Sequence, residues 1–205
     1  MIVIVDYGMG NLGSIQNMFH RLGLDSIISG DPAAITQADK LILPGVGAFD
    51  AGMRNLRERG LIPLLETKVR QGRTPVLGIC LGMQLLSLRS EEGRLPGLGW
   101  IEAETVRFRF AEQAAPLKVP HMGWNQVSPQ KVSPLFDRMY EEPRFYFVHS
   151  YHVRCHHPDD AWLSCRYGFE FTAAVERGNV VGVQFHPEKS HKFGMRLLEN
   201  FARST

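Results

Sequence analysis

The sequence predicts an α/β fold: an open, mostly parallel sheet with helices on both faces, continued by an antiparallel β extension. Three observations carry this. Through the first half of the chain, apolar strand-like runs alternate with helix-like stretches, and repeated βα units imply a parallel sheet covered on both sides. Beyond Trp100 the pattern changes to short β-like runs. Around Cys80 a strand, a sharp glycine-flanked turn and a helix start are fused into one segment.

In chain order, Ile2 to Asp6 is a strand, Asn11 to Leu22 a helix and Asp25 to Ser29 a strand. A third strand, Lys40 to Leu43, ends in the turn Pro44-Gly45-Val46-Gly47. Leu56 to Val69 reads as helix with a break near Gly60 and Pro63, and Pro75 to Ile79 feeds the Cys80 turn. The later β-like runs are Glu104 to Phe110, Arg144 to His149, Ala161 to Cys165, Thr172 to Glu176 and Val180 to Phe185, and a closing helix covers Lys192 to Phe201. With 205 residues, 44% of them hydrophobic, the chain can bury a substantial core, and no repeat, linker or low-complexity stretch divides it. Residues 1–205 therefore read as one domain, with the later strands packed on the same core.

Gly78-Ile79-Cys80-Leu81-Gly82 follows the apolar run Pro75-Val76-Leu77 and precedes Met83-Gln84-Leu85-Leu86. This is the pattern of a nucleophile elbow with Cys in place of Ser: the glycines relieve crowding in a strained turn, and the cysteine is pushed out at the end of a sheet. A helix beginning there would aim backbone N–H groups and its positive dipole end at the sulfur, favouring the thiolate. Gln84, one turn into that helix, points back toward the elbow and could grip a polar substrate, although capping a polar face would explain it equally.

A thiol nucleophile needs a base. Val180 to Phe185 reads as a buried strand, so His186 falls at its end, where strand-end loops of an open α/β sheet form the ligand crevice. Glu188 stands two residues on, with Pro187 stiffening the turn, and a carboxylate there can hold one imidazole nitrogen while the other faces the sulfur.

Other signals compete. A formal net charge of +2, with Lys and Arg scattered among acids, carries no nucleic-acid signature. Met1 to Asp6 is too short an apolar stretch for a signal peptide or a membrane span, and three cysteines without metal spacing fit a reducing cytoplasm. Gly8-x-Gly10-x-x-Gly13 follows the first strand and opens a helix, with Asp31 near the end of the second strand, which meets much of a dinucleotide-binding fingerprint. That fingerprint explains nothing about Cys80, His186 or Glu188, and a glycine-rich turn also serves wherever a helix packs closely on a sheet. The segment Tyr151 to Asp160 is dense in His, Cys and Asp but lacks common zinc spacing, so it reads as a solvated loop, and no metal is assigned. His121 and His149 default to hydrogen-bonded structural histidines.

The segments Gly78-Ile79-Cys80-Leu81-Gly82-Met83-Gln84, Phe185-His186-Pro187-Glu188 and Pro44-Gly45-Val46-Gly47 resemble the class I (triad) glutamine amidotransferases. Pro120-His121-Met122-Gly123-Trp124-Asn125 and Phe145-Tyr146-Phe147-Val148-His149-Ser150-Tyr151 narrow the resemblance to a histidine-biosynthetic branch, and the likeness runs from the first strand to the last helix. The resemblance implies glutamine as substrate, hydrolysed by Cys80 as nucleophile, His186 as proton carrier and Glu188 as its orienter. Leu81 N–H and a backbone N–H at Val46-Gly47 would form the oxyanion hole, completed by a peptide flip that the glycines around Val46 permit. Gln84, Ser150 and Tyr151 would bind substrate, and Asn11, Tyr146 and Lys189 would line the interface with a partner. That partner is expected to be a separate cyclase subunit with a (β/α)₈ barrel, forming a heterodimer and taking up the ammonia. No cofactor is implied for the glutaminase half. Ser190-His191-Lys192-Phe193-Gly194 and Arg89-Ser90-Glu91-Glu92-Gly93 also bring to mind a paralogous branch that aminates a surface-polysaccharide sugar, and the two remain open on sequence.

Overall fold

A computed structural model describes residues 1–110 and 117–204. In chain order the elements are β1 (Ile2–Val5), α1 (Leu12–Arg21), β2 (Ser26–Ser29), α2 (Pro32–Gln37), β3 (Lys40–Gly45), α3 (Phe49–Glu58), α4 (Leu61–Glu66) with a π-helical turn at Thr67–Gln71, β4 (Val76–Cys80) and α5 (Leu81–Leu85). There follow β5 (Arg89–Ser90), β6 (Ala103–Arg107), β7 (His121–Pro129), β8 (Arg144–His149), β9 (Tyr151–Cys155), β10 (Ala161–Tyr167), β11 (Phe169–Arg177), β12 (Val180–Val183), a 3₁₀ turn at Pro187–Lys189 and α6 (His191–Arg203).

The sheet runs β2-β1-β3-β4-β12-β11-β10-β7-β8. Its β2-β1-β3-β4-β12 half is parallel. The β12-β11-β10-β7-β8 half is antiparallel, with β9 and β6 branching from β11 and β5 parallel to β6. The mixed α/β sheet expected from the sequence is present, and its antiparallel part is as extensive as the parallel part.

Because side chains alternate along a strand, β1 sends Ile2 and Ile4 to one face and Val3 and Val5 to the other. The first face packs on α1 and α6 through Phe19, Phe193, Leu197 and Phe201; the second packs on α2, α3 and α4 through Ile35, Phe49, Met53 and Leu65. β4 and β12 lie side by side in parallel, Val183 opposite Ile79, so their C-terminal ends reach the same edge of the sheet. β3 lies on the other side of β4, with Gly45 opposite Cys80. Three strand ends thus converge where the open-sheet rule places a ligand site.

Several sequence expectations are corrected. The helix read as Leu56 to Val69 is two helices, the first starting seven residues earlier at Phe49. Its start was hidden because Ala48 caps it without a side-chain hydrogen bond and Gly52 interrupts the helix-forming pattern. Gly60, at φ 66°, does break the chain, whereas Pro63 is the third residue of α4, where the missing N–H has no intrahelical acceptor to lose. The 151–160 segment is not all loop: Tyr151–Cys155 is a strand paired with β6, and His152 is buried. β7 is a strand that the sequence pattern does not announce, and α2 opens on Asp31 followed by Pro32, a sound helix-start signal absent from the elements expected above.

Candidate active site

The elbow glycines are required by close backbone approach. A Cβ on Gly82 would lie 1.8 Å from the Leu43 carbonyl oxygen, and one on Gly78 2.8 Å from the Gly82 backbone. Between them Cys80 adopts φ 55°, ψ −110°, a strained conformation for a residue with a side chain. Cys80 is only 7% exposed, so the sulfur is held at the sheet edge but is not open to solvent as the elbow pattern suggests. α5 is five residues long, and the charge partner of the sulfur is the His186 ring.

His186 is fixed by its backbone. Its N–H donates to Tyr146 O at 2.9 Å, and its carbonyl accepts from Ser190 Oγ at 2.6 Å, which in turn accepts from Tyr146 N–H at 3.0 Å. His186 Nδ1 meets Glu188 Oε1 at 2.7 Å, with both side chains 2% exposed. Nε2 and Glu188 Oε2 are buried without aligned hydrogen bonds. Burial alone would depress the imidazolium; proximity and charge of Cys80 and the bond to Glu188 outweigh it and raise the His186 pKa to about 9. Such a ring is built to carry a proton beside the Cys80 sulfur. Replacing Cys80 by serine, which removes that ionisable sulfur, should lower the His186 titration midpoint as followed by ring NMR; an unchanged midpoint would mean that Cys80 does not act on the ring.

Gln84 is 5% exposed; its Nε2 donates to Gln184 Oε1 at 3.0 Å and to Tyr151 O at 3.3 Å. Gln184, fully buried, donates from Nε2 toward Cys80 Sγ at 3.8 Å. Gln184 stands two residues before His186, past the end of β12 where the chain bends, and no local pattern in the sequence marks it. Tyr151 joins the site through its carbonyl, while Ser150 accepts Phe108 N–H at 3.1 Å on its own carbonyl between β8 and β9.

The Gly45-Val46-Gly47 turn is anchored at both ends. Tyr7, fully buried, donates its hydroxyl to Pro44 O at 2.6 Å, and burial, then the charge of Cys80, pushes its pKa up. Beyond the turn, Glu92 Oε2 accepts Phe49 N–H at 2.9 Å. Gly47 sits at φ 107°, a backbone state that glycine tolerates, and Val46 is 45% exposed. Leu81 directly follows the nucleophile, so both expected oxyanion donors lie on segments flanking Cys80.

The glycine-rich turn after β1 supports this loop. A Cβ on Gly10 would lie 3.2 Å from Pro44 Cβ, and Asp31 is committed to capping α2 through Ala33 N–H at 3.0 Å. The dinucleotide reading therefore loses its acidic residue. Asn11 is exposed at the start of α1, without a side-chain cap, and Lys189 Nζ lies 5.7 Å from the Tyr146 ring centroid. Among the described residues, no group of three or more His, Cys, Asp or Glu side chains is placed to hold a metal ion. Burial raises Cys155 to about 11 and Cys165 to about 12, which keeps both as thiols at neutral pH.

Fold and site together define an elbow-type α/β protein with a buried cysteine beside a histidine–carboxylate pair. A family model described as glutamine amidotransferase class-I matches residues 3–205, and the chain belongs to that family. It is 57% identical over 203 residues to "Imidazole glycerol phosphate synthase subunit HisH 2" of Methanococcus maripaludis, covering 99% of each chain. It is 58% identical over 201 residues to the protein of the same name from Pseudomonas aeruginosa, covering 98% of each. Among solved structures, a glutamine amidotransferase from Thermotoga maritima matches 98% of this chain and 81% of its own with a TM-score of 0.64 at 17% identity. PurLQS from the same organism matches 98% and 96% with a TM-score of 0.71 at 18% identity. At those identities the structural likeness speaks for the fold.

Proposed function

We propose that this chain, as one amidotransferase domain over residues 1–205, is the glutaminase subunit of an imidazole glycerol phosphate synthase. The observation that carries the reading is the buried Cys80–His186–Glu188 constellation, with Nδ1 to Oε1 at 2.7 Å, beside a glycine-rich turn at Gly47. Cys80 Sγ attacks the side-chain amide carbon of glutamine, and the carbonyl π electrons move onto the oxygen, which Leu81 N–H and a donor from the Gly47 turn receive. Collapse of that intermediate breaks the C–N bond as His186 gives its proton to the departing nitrogen, releasing ammonia and leaving a glutamyl thioester. His186 then takes a proton from water, whose oxygen attacks the thioester and frees glutamate. Gln84, Ser150 and Tyr151 bind the substrate, and the chemistry draws on no cofactor.

Ammonia must reach an acceptor, and the names of the high-identity relatives favour the histidine-biosynthetic reading over the sugar-aminating paralogue. The partner is then a cyclase subunit of (β/α)₈ fold, joined as a heterodimer in the cytoplasm, making imidazole glycerol phosphate and an aminoimidazole carboxamide ribotide. Among the described residues no helix is long and apolar enough to cross a membrane. The face beside His186 suits a docked protein: Met122 and Trp124 are 62% and 44% exposed, and Trp124 lies edge-on to Tyr146, which lies under Lys189.

Growth of a histidine auxotroph lacking its own glutaminase subunit, restored by this gene, tests the pathway; failure with the cognate cyclase co-expressed would favour the sugar reading. Coupling is tested by Lys189→Ala and Tyr146→Ala, each expected to weaken activation by acceptor ligand or to yield glutamate in excess of cyclised product, with the fold intact. Full activation and one-to-one stoichiometry in both variants would remove these residues from the communicating interface.

A further inference from the structure

A chain of side chains with two buried histidines at its middle leads away from the thiol. Asn125 on β7 lies with Nδ2 3.3 Å from His121 Nε2, His121 Nδ1 lies 3.0 Å from His149 Nε2, and His149 Nδ1 lies 2.7 Å from Tyr151 O. That carbonyl also accepts from Gln84 Nε2, two hydrogen bonds from Cys80 Sγ by way of Gln184. His121 and His149 face each other across the β7–β8 register, 3% and 5% exposed.

The proton positions in this chain follow from both ends independently. At one end, Asn125 Oδ1 accepts Gln126 N–H at 2.9 Å and Nδ2 donates to Arg166 O at 3.0 Å, so the group facing His121 is an NH₂ donor. His121 Nε2 must then accept, and a neutral ring carries its proton on Nδ1. At the other end Tyr151 O can only accept, so His149 carries its proton on Nδ1 and offers a bare Nε2. The two deductions meet at the His121–His149 contact as one donor and one acceptor. A second proton on either ring would set donor against donor, and burial already holds His121 near 4 and His149 near 3.

We infer that Asn125, His121 and His149 are positioning residues: a one-way chain of hydrogen bonds that fixes the Tyr151 carbonyl, and through it Gln84, on the substrate side of Cys80. This rests on the glutaminase reading above for its kinetic consequence. Its proton assignment stands apart from that reading.

The test has two arms. Long-range ¹H–¹⁵N correlation on the full chain at neutral pH is expected to find both rings protonated at Nδ1. Protonation at Nε2 of either ring overturns the proposal, whatever the enzyme's activity. In the complex with the cyclase subunit, His149→Asn keeps an N–H donor close to the Nδ1 position and should hold KM for glutamine within about threefold, whereas His149→Gln places its amide near Nε2. Loss of a buried hydrogen bond in His149→Gln should raise KM about tenfold with a smaller change in kcat. A merely space-filling role would treat the two amides alike, so equal KM in folded Asn and Gln variants also overturns the inference. Absence of glutamine hydrolysis in the wild-type complex would instead count against the glutaminase reading and leave the NMR arm decisive.

Discussion

Cys80→Ala is expected to abolish glutamine hydrolysis, a loss on the order of 10⁴-fold or more by the scale of other nucleophile–base units. It should also block covalent labelling by a glutamine-analogue electrophile. The thioester can form only at a sulfur beside His186, and burial holds Cys155 and Cys165 as protonated thiols, so Cys155→Ala and Cys165→Ala should change neither readout. His186→Asn should cost nearly as much as Cys80→Ala because residues acting as a unit are non-additive, while Glu188→Gln should leave measurable turnover, its amide still able to orient the ring. Circular dichroism must accompany the His186 variant, since removing the ring leaves Glu188 buried at 2% exposure with no partner. Labelling that survives Cys80→Ala would remove the central claim.

How much of this was legible before the structure depended on how local each signal was. The elbow needs only five residues in sequence, and its glycines report a backbone contact that no other residue tolerates, so Cys80 could be placed from the chain alone. His186 and Glu188 are two residues apart at a strand end, again a local pattern. β7 was invisible because Met122, Gly123 and Trp124 do not alternate as a half-buried strand should: two large apolar side chains face outward and two histidine-bearing strands pair inward. The same partnership made the histidines look like isolated structural residues. Only the antiparallel register of β7 and β8 brings His121 to His149, 28 positions along the chain, and the placement of β9 between β6 and β11 buries His152 against Phe108, Phe169 and Phe171. Gln184 lies beyond the end of β12, where the chain bends, so its approach to Cys80 follows from no local alternation. Anchors such as Tyr7 on Pro44 and Glu92 on Phe49 join segments far apart in sequence and carry no local signature.

The buried histidines should also set the acid limit of the fold. His149 is pushed down to about 3, His121 and His152 to about 4, each chiefly by burial. An unfolded chain binds a proton at each ring near pH 6.5, so below that pH the unfolded state takes up protons that the folded state refuses, and stability falls as pH drops toward 4. At ~1.4 kcal/mol per pKa unit, discounted for mutual repulsion among the rings, the loss between pH 7 and 5 is on the order of a few kcal/mol. His186 works in the opposite sense: raised to about 9, it contributes stability fully present below pH 6.5 and lost as pH rises through 9. The stability maximum should therefore fall near neutrality, bounded by the neutral cluster on one side and the triad on the other. His152 isolates the acid effect, because its Nδ1 is buried without a hydrogen-bond partner and its ring sits 4.7 Å from Phe108, 5.4 Å from Phe169 and 5.8 Å from Phe171. Substituting phenylalanine removes an unsatisfied polar atom at little change of shape, so His152→Phe should be at least as stable as the parent at pH 7 and lose less stability by pH 5. Urea midpoints measured at both pH values check this. An acid slope in His152→Phe equal to that of the parent would show that His152 does not contribute to the acid limit of the fold.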